Sequence, residues 1–399
     1  MVVGILGLMA LVIFLGVFGE FVFAKTRIPD ALWLIAIGIV AGPLLGLVSQ
    51  QQLWVFAPFF SAVALAVIMF EGGLHLNIYD VIKHAPTSLL LGFAGFFLNV
   101  AVITLVLEGL ALLGFLSNWS TLNSILLGAI LGGSSSLVVL PLVRASKLNR
   151  RVSSILTLES SITDVLAVVI TIALVQSFLS PESGIQGALH TIASSFSIGA
   201  MLGIVVGVIW LYILKFFKNK EGLYHHNYML TFACLLGLYA FTEFVGGSGA
   251  IAGLIFGIIL GNAQELQKML KLSRRISLDR RVREFNSQVS FFVKTFFFAL
   301  IGLLFFVSFK LLLVSLTVVA AIAIARPVGV KFGTFREKLS AKDKSVINGL
   351  IPRGLAAAVL AILPSSMGIP GTENFAGIVF TAIIATIAIT TAIFYARTR

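Results

Sequence analysis

Charge is what this chain has least of. Only 11% of its 399 residues are Asp, Glu, Lys or Arg, where a soluble domain keeps roughly a quarter. With 59% hydrophobic residues and a mean hydropathy of +1.07, it cannot cover itself with polar side chains. A soluble globular fold is excluded, and lipid must be the solvent. Cysteine is nearly absent: Cys234 stands alone in an apolar run, which excludes a disulfide framework and a thiolate metal site. Acidic residues are also scarce, 16 against 28 basic, for a net charge of +12. The basic residues sit between apolar runs, so membrane lipid headgroups and membrane orientation account for them, and no nucleic-acid partner is expected. No basic stretch precedes the first apolar run, so residues 2–24 read as a retained membrane helix rather than a cleaved leader. No nucleophile–base set or metal-ligand cluster stands out, so neither an enzyme nor a bound cofactor is expected.

What is present is a succession of long apolar runs. A helix needs about 20 mainly apolar residues to cross a bilayer. That measure gives thirteen candidate spans: 2–24, 31–49, 54–74, 86–115, 122–142, 153–178, 192–217, 227–244, 248–264, 286–307, 309–331, 346–363 and 374–396. If they alternate in direction, 24 of the 28 basic residues fall on one side, and Lys310 alone falls on the other. The rule that places basic residues in the cytoplasm then puts the N-terminus outside and the C-terminus inside a cell (plasma) membrane. The fold class expected is an all-α polytopic membrane protein, a single transporter domain over residues 1–399. An odd number of spans admits an inverted repeat: 1–178 and 227–396 as two six-helix units, with 192–217 joining them.

Three basic residues remain, all inside candidate spans: Lys294, Arg326 and Arg353. Ionisable groups at a helix centre cost about 2.5–3.5 kcal/mol on insertion scales, so each needs a partner, water or a function. The sixth span carries Glu159, Ser160, Thr163 and Asp164. Asp164 lies near mid-membrane, with Ser160 one turn earlier on the same face. Carboxylate and hydroxyl together form a hard-oxygen site suited to Na+, K+ or a proton, so Asp164 and Ser160 are the expected cation ligands. Glu159 and Thr163 form a second i, i+4 pair on the adjacent face.

The fifth span carries Gly132, Gly133, Ser134, Ser135 and Ser136, then Pro141; the twelfth carries Pro352-Arg353-Gly354. Such segments unwind readily and can offer backbone carbonyls to a cation, which makes Ser134 and Ser135 further candidates. Close helix packing is the competing use of the small residues. Glu71, in Phe70-Glu71-Gly72-Gly73, fits either snorkelling at the cytoplasmic end or a place beside the ion path. Glu20 and Glu108 read as interfacial, and His75, His84, His190, His225 and His226 as solvated groups near the membrane surfaces.

Ala36-Ile37-Gly38-Ile39-Val40-Ala41-Gly42-Pro43, Phe70-Glu71-Gly72-Gly73-Leu74, and Gly247-Ser248-Gly249-Ala250-Ile251-Ala252-Gly253 leading to Gly257 and Gly261-Asn262 carry a resemblance. In their order and spacing the chain resembles the monovalent cation–proton antiporter superfamily of sodium/proton and potassium/proton exchangers. The resemblance implies a homodimer and a six-helix core in which the fifth and twelfth helices are broken and cross near the site. In that core the sixth-helix aspartate, here Asp164, binds cation and proton in turn. It also implies an ion pair between Glu159 and Arg353, and it matches Lys294 to a lysine that other branches place beside the aspartate. Many relatives add a cytoplasmic regulatory domain, which is not among these residues. Thr163 precedes the aspartate where exchangers usually have Asn or Asp, and Ser134-Ser135-Ser136 replaces a Thr-Asp pair, so Na+ and K+ both stay open as substrates.

The expected activity is therefore exchange of Na+ or K+ for H+ by alternating access at one aspartate, one cation per proton. A gated cation channel and a sodium-coupled solute symporter are the alternatives; the first has less use for a titratable aspartate, and the second needs a larger polar cavity.

Overall fold

Helices account for every regular element among the described residues. The computed structural model describes residues 2–26, 28–47, 50–76, 78–144, 148, 150–179, 184–217, 227–269, 280–306, 308–335, 337 and 339–398. His225, His226 and part of the basic set expected in the cytoplasm, including Lys218, Lys220, Arg274 and Arg275, lie outside them.

In chain order the helices are α1 (Val2–Thr26), α2 (Asp30–Ile39), α3 (Gln50–His75), α4 (Ile78–Leu112), α5 (Thr121–Gly132), α6 (Ser136–Arg144), α7 (Arg150–Leu179) and α8 (Gly184–Phe217). Then follow α9 (Asn227–Phe244), α10 (Gly249–Gly261), α11 (Ala263–Met269), α12 (Arg280–Leu303), α13 (Phe309–Gly333), α14 (Ala341–Gly349), α15 (Leu355–Ser366) and α16 (Phe375–Thr398). Among the described residues, eight helical stretches are long and apolar enough to cross a membrane, with α5 and α6 taken together as one, and four shorter helices are apolar. The chain is an all-α membrane protein.

Each candidate span holds helix, and the departures have local causes. The second ends in a turn of wider winding, Val40–Leu44, around Pro43, whose ring cannot fit the regular ladder and which has no N–H to give to it. The fifth is interrupted after Gly132 and resumes at Ser136. The twelfth is interrupted between Gly349 and Leu355, so that Ile351–Gly354 runs without helical bonds. The short α11 has no counterpart among the candidate spans, because seven polar-rich residues give no membrane-length signal.

The chain forms two compact units. The first comprises Met1–Ser61, His84–Thr171 and Lys294–Arg399. Its centre is α16, whose Phe375, Ile378, Val379, Ile383 and Ile387 are fully buried and which packs against α13, α14 and α15. Thr386 and Thr390 of α16 are also fully buried. Their hydroxyls accept from the backbone N–H groups of Arg353, at 3.0 Å, and of Ile351, at 3.2 Å. The unwound stretch before α15 is thereby supplied with acceptors that a helix would have provided itself.

The second unit comprises Ala62–Lys83 and Ile172–Val293. Within it α8 lies along α10, with Gly199, Gly203 and Gly207 of α8 set against Ser248, Ala252, Ile255 and Ile259. Small residues let two backbones approach closely, which is how membrane helices associate where no water drives them together. Phe70 stacks on Phe256 at 5.3 Å between ring centroids in the core of this unit.

Candidate functional site

The two interruptions meet inside the first unit. Ser135 N–H donates to the Pro352 carbonyl at 2.8 Å, joining the gap between α5 and α6 to the gap before α15. The approach is too close for side chains. A Cβ on Gly354 would strike the Ser135 hydroxyl, and one on Gly133 would lie 2.6 Å from the Thr163 carbonyl. Glycine at both positions is a steric requirement of the crossing.

Helix α7 passes beside this crossing and supplies the acidic groups. Asp164 Oδ2 accepts two bonds from one residue, the Ser136 N–H at 2.9 Å and the Ser136 Oγ–H at 2.5 Å. Ser136 is the first residue of α6, so the carboxylate caps that half-helix and faces its positive end. Asp164 is half-buried.

The neighbouring hydroxyls are placed differently from the sequence expectation. Ser134 does not meet Asp164; its N–H donates to Thr163 Oγ1 at 3.1 Å. Thr163 in turn lies within reach of the carbonyls of Ser160, at 3.2 Å, and Ser134, at 3.4 Å. Ser135 contributes its backbone to the crossing. The Ser160 hydroxyl donates to the Thr157 carbonyl at 3.1 Å; it bonds its own helix, as serine in a helix interior commonly does. Ser136 was the serine to single out. Its signal was its position, the first hydroxyl able to restart a helix after the Gly-Gly break. Glu71 belongs to the second unit, where it is half-buried on α3 with its carbonyl 2.9 Å from His75 Nδ1.

The expected pairing of Glu159 with Arg353 is corrected. Glu159 pairs with Arg326 of α13 through two bonds, Nη1 to Oε1 at 2.6 Å and Nη2 to Oε2 at 2.8 Å. The Arg326 Nε–H donates to the Ile347 carbonyl at 3.2 Å, so one guanidinium ties α7, α13 and α14 together. Arg353 starts from an extended segment, and its Nη1–H turns back to the Ile351 carbonyl at 3.4 Å. It is fully buried and within electrostatic range of Glu159, Asp164 and Arg326, while its Nε and Nη2 have no hydrogen-bond partner among the described residues.

Lys294 is resolved too: its Nζ lies 2.7 Å from Oδ2 of Asp30, the first residue of α2. In the sequence Asp30 is an acid at the edge of an apolar run, and nothing there distinguishes it from an interfacial group. On α4, Asn99 Nδ2–H donates to the carbonyl of Gly132 at 3.0 Å, satisfying a backbone acceptor that the end of α5 leaves open.

The arrangement is one half-buried carboxylate with a hydroxyl beside it, at the start of a half-helix and against two stretches of unwound backbone. Such hard-oxygen surroundings suit a proton or an alkali cation and offer nothing to a soft metal.

The chain is 27% identical over 377 residues to the K(+)/H(+) antiporter NhaP2 of Shewanella sp. (strain ANA-3), covering 92% of this chain and 62% of that protein. It is 27% identical over 394 residues to the K(+)/H(+) antiporter NhaP of Alkalimonas amylolytica, covering 96% of this chain and 63% of that protein. The chain thus spans a little over three-fifths of the length of these relatives. In fold it is similar to the sodium proton antiporter MjNhaP1 from Methanocaldococcus jannaschii, with a TM-score of 0.75 and 20% identity, covering 97% of this chain and 96% of the other. A family model described as sodium/hydrogen exchanger, transmembrane, matches residues 9–396, and the chain belongs to that family.

Proposed function

We propose that the protein is a secondary antiporter that exchanges Na+ or K+ for H+ across the plasma membrane, with Asp164 as the single site that both occupy in turn. The observation that carries this reading is the position of Asp164, half-buried against the first turn of α6 where two unwound segments cross. A carboxylate there takes a proton or a cation and not both. Opposite fluxes are then coupled through one group, provided that the site opens to one side at a time. Ser136 Oγ is the neighbouring oxygen that would accompany Asp164 around the cation; Thr163 and Ser134 hold the geometry.

In this reading the thirteen spans cross with the N-terminus outside and the C-terminus in the cytoplasm, as an inverted repeat. The protein works as a homodimer, and the extra length of the relatives corresponds to a cytoplasmic regulatory region. The names of the curated relatives favour K+, and that of the solved structure favours Na+. The pairing of Lys294 with Asp30 favours exchange of one cation per proton, since the lysine ammonium is then not a carrier at Asp164. Reconstitution into liposomes with an imposed pH gradient tests the reading. Addition of Na+ or K+ outside should drive proton movement, unaffected by clamping the membrane potential. Cation flux that proceeds without counter-movement of protons would favour a channel.

A further inference from the structure

Between α14 and α15 the chain is extended, with Leu350 at φ −92°, ψ 92° and Gly354 at φ −153°, ψ −150°, and residues 350–354 are all buried. A buried segment without a helical ladder must find acceptors for its N–H groups elsewhere. In extended backbone, successive residues turn their polar groups to opposite sides. This segment does so. The N–H groups of Ile351 and Arg353 face α16 and donate to Thr390 Oγ1 at 3.2 Å and Thr386 Oγ1 at 3.0 Å. Pro352, between them, has no N–H, and its carbonyl goes the other way, to the Ser135 N–H at 2.8 Å.

The spacing of the two threonines fits this segment. Four residues of helix rise about 6 Å and two residues of extended chain span about 6.6 Å, so hydroxyls at i and i+4 on α16 meet alternate N–H groups. Thr386 Oγ1–H is itself committed to the Ala382 carbonyl of its own helix at 2.7 Å, which leaves its lone pairs for Arg353. The first interruption is held in the same manner: Ser134 N–H donates to Thr163 Oγ1 of α7, and Thr163 leans on the Ser160 carbonyl of its own helix. Thr163 adjoins Asp164 in the chain, whereas Thr386 and Thr390 are linked to it through backbone. Residues 351–353 set the Pro352 carbonyl, and that carbonyl holds the Ser135 N–H. Ser136, the next residue, gives both of its donors to Asp164.

We propose that Thr386 and Thr390 are positioning residues for cation binding: from α16 they keep residues 351–353 extended, and through the Pro352–Ser135 bond they fix where Ser136 meets Asp164. This rests on the antiport reading. A buried N–H that loses its acceptor carries a penalty that a turn of helix relieves. Without the two hydroxyls the segment gains by rewinding onto the end of α14, which withdraws the Pro352 carbonyl from Ser135.

The experiment titrates Na+ and K+ in cation-dependent proton exchange by liposomes, for the unsubstituted protein and each variant, with the thermal unfolding midpoint read in parallel. Valine keeps the branched shape of threonine and removes the hydroxyl. Thr386→Val and Thr390→Val should each raise the cation KM by about tenfold, and Thr386→Ser, which keeps a hydroxyl, should stay within about twofold of the unsubstituted protein. Thr381→Val is the matched control. Thr381 is also buried on α16, but its hydroxyl donates to the Gly377 carbonyl of its own helix, so KM should not shift. Because the route runs through Ser136, Thr386→Val added to Ser136→Ala should raise KM much less than it does alone. Thr390→Val carries the same expectations and decides the matter where Thr386→Val does not fold. Three results overturn the proposal: a lowered unfolding midpoint with KM unshifted, a shift as large in Thr381→Val or Thr386→Ser, or a full second shift in the double variant. Absence of exchange by the unsubstituted protein with either cation instead overturns the antiport reading on which the proposal stands.

Discussion

Glu159 and Arg326 are joined by two hydrogen bonds of 2.6 and 2.8 Å, five residues along α7 from the aspartate that the site is built around. Removing one partner of a buried pair strands the other charge, at a cost of about 3–5 kcal/mol. Glu159→Gln and Arg326→Gln are therefore expected to lower the thermal unfolding midpoint well below that of the unsubstituted protein. Arg353→Gln breaks no such pair and should cost less. Equal losses for Arg326→Gln and Arg353→Gln in a detergent thermal-shift series would contradict this ranking.

Asp164→Asn keeps the shape of the side chain and removes its charge. Its carboxamide oxygen can still accept from Ser136, so the fold is expected to survive. Cation-driven proton movement in liposomes should fall to the background of protein-free vesicles. Substantial residual exchange would place the site elsewhere.

Ser136 contributes both a backbone and a side-chain donor. Its Oγ is also the oxygen proposed to accompany Asp164 around the cation, so Ser136→Ala, which removes that ligand and leaves the backbone N–H of residue 136 in place, should raise the cation KM by about tenfold, the factor given by about 1.4 kcal/mol. Ser134→Ala removes only a hydroxyl 3.4 Å from Thr163 Oγ1 and should change the cation KM little. Steady-state titration of the two variants side by side checks the assignment of the site to the third serine rather than the first.

Gly354→Ala should impair both stability and exchange, because its methyl group would collide with Ser135; overpacking of this kind costs about 1–3 kcal/mol. Combining it with Ser135→Gly removes the obstacle and should recover part of the loss. Failure of the second substitution to help would show that the crossing of the two breaks is not what Gly354 protects.

Much of this is legible in the sequence. Charged, Gly-Gly and Pro-Arg-Gly segments inside apolar runs are conspicuous, so Asp164 and both interruptions stood out. Partner choice did not, for physical reasons. Arg326 and Arg353 are both basic residues inside apolar runs and both lie near Glu159, so the sequence does not say which of them takes the two hydrogen bonds. Which of three consecutive serines meets the aspartate depends on where helix resumes after the break, a matter of single residues. Ser160 has the right spacing from Asp164, but its hydroxyl found a carbonyl in its own helix first. The approach of Asp30 to Lys294 is hidden by their distance in the chain, from the start of α2 to the middle of α12.

The cap on α6 has a consequence for how occupancy of Asp164 is felt. Helix α6 is nine residues long with a proline inside it, and helices below about 12–15 residues are marginal by themselves. Its first turn borrows stability from the carboxylate that also receives the cargo. A proton or cation arriving at Asp164 Oδ2 competes with the Ser136 donors, so loading the site loosens the start of a helix. Amide hydrogen exchange over residues 136–140 should then be faster in Asp164→Asn than in the unsubstituted protein, and unchanged in Lys294→Gln. The ion would be registered as local melting of one turn, a signal carried by folding rather than by charge.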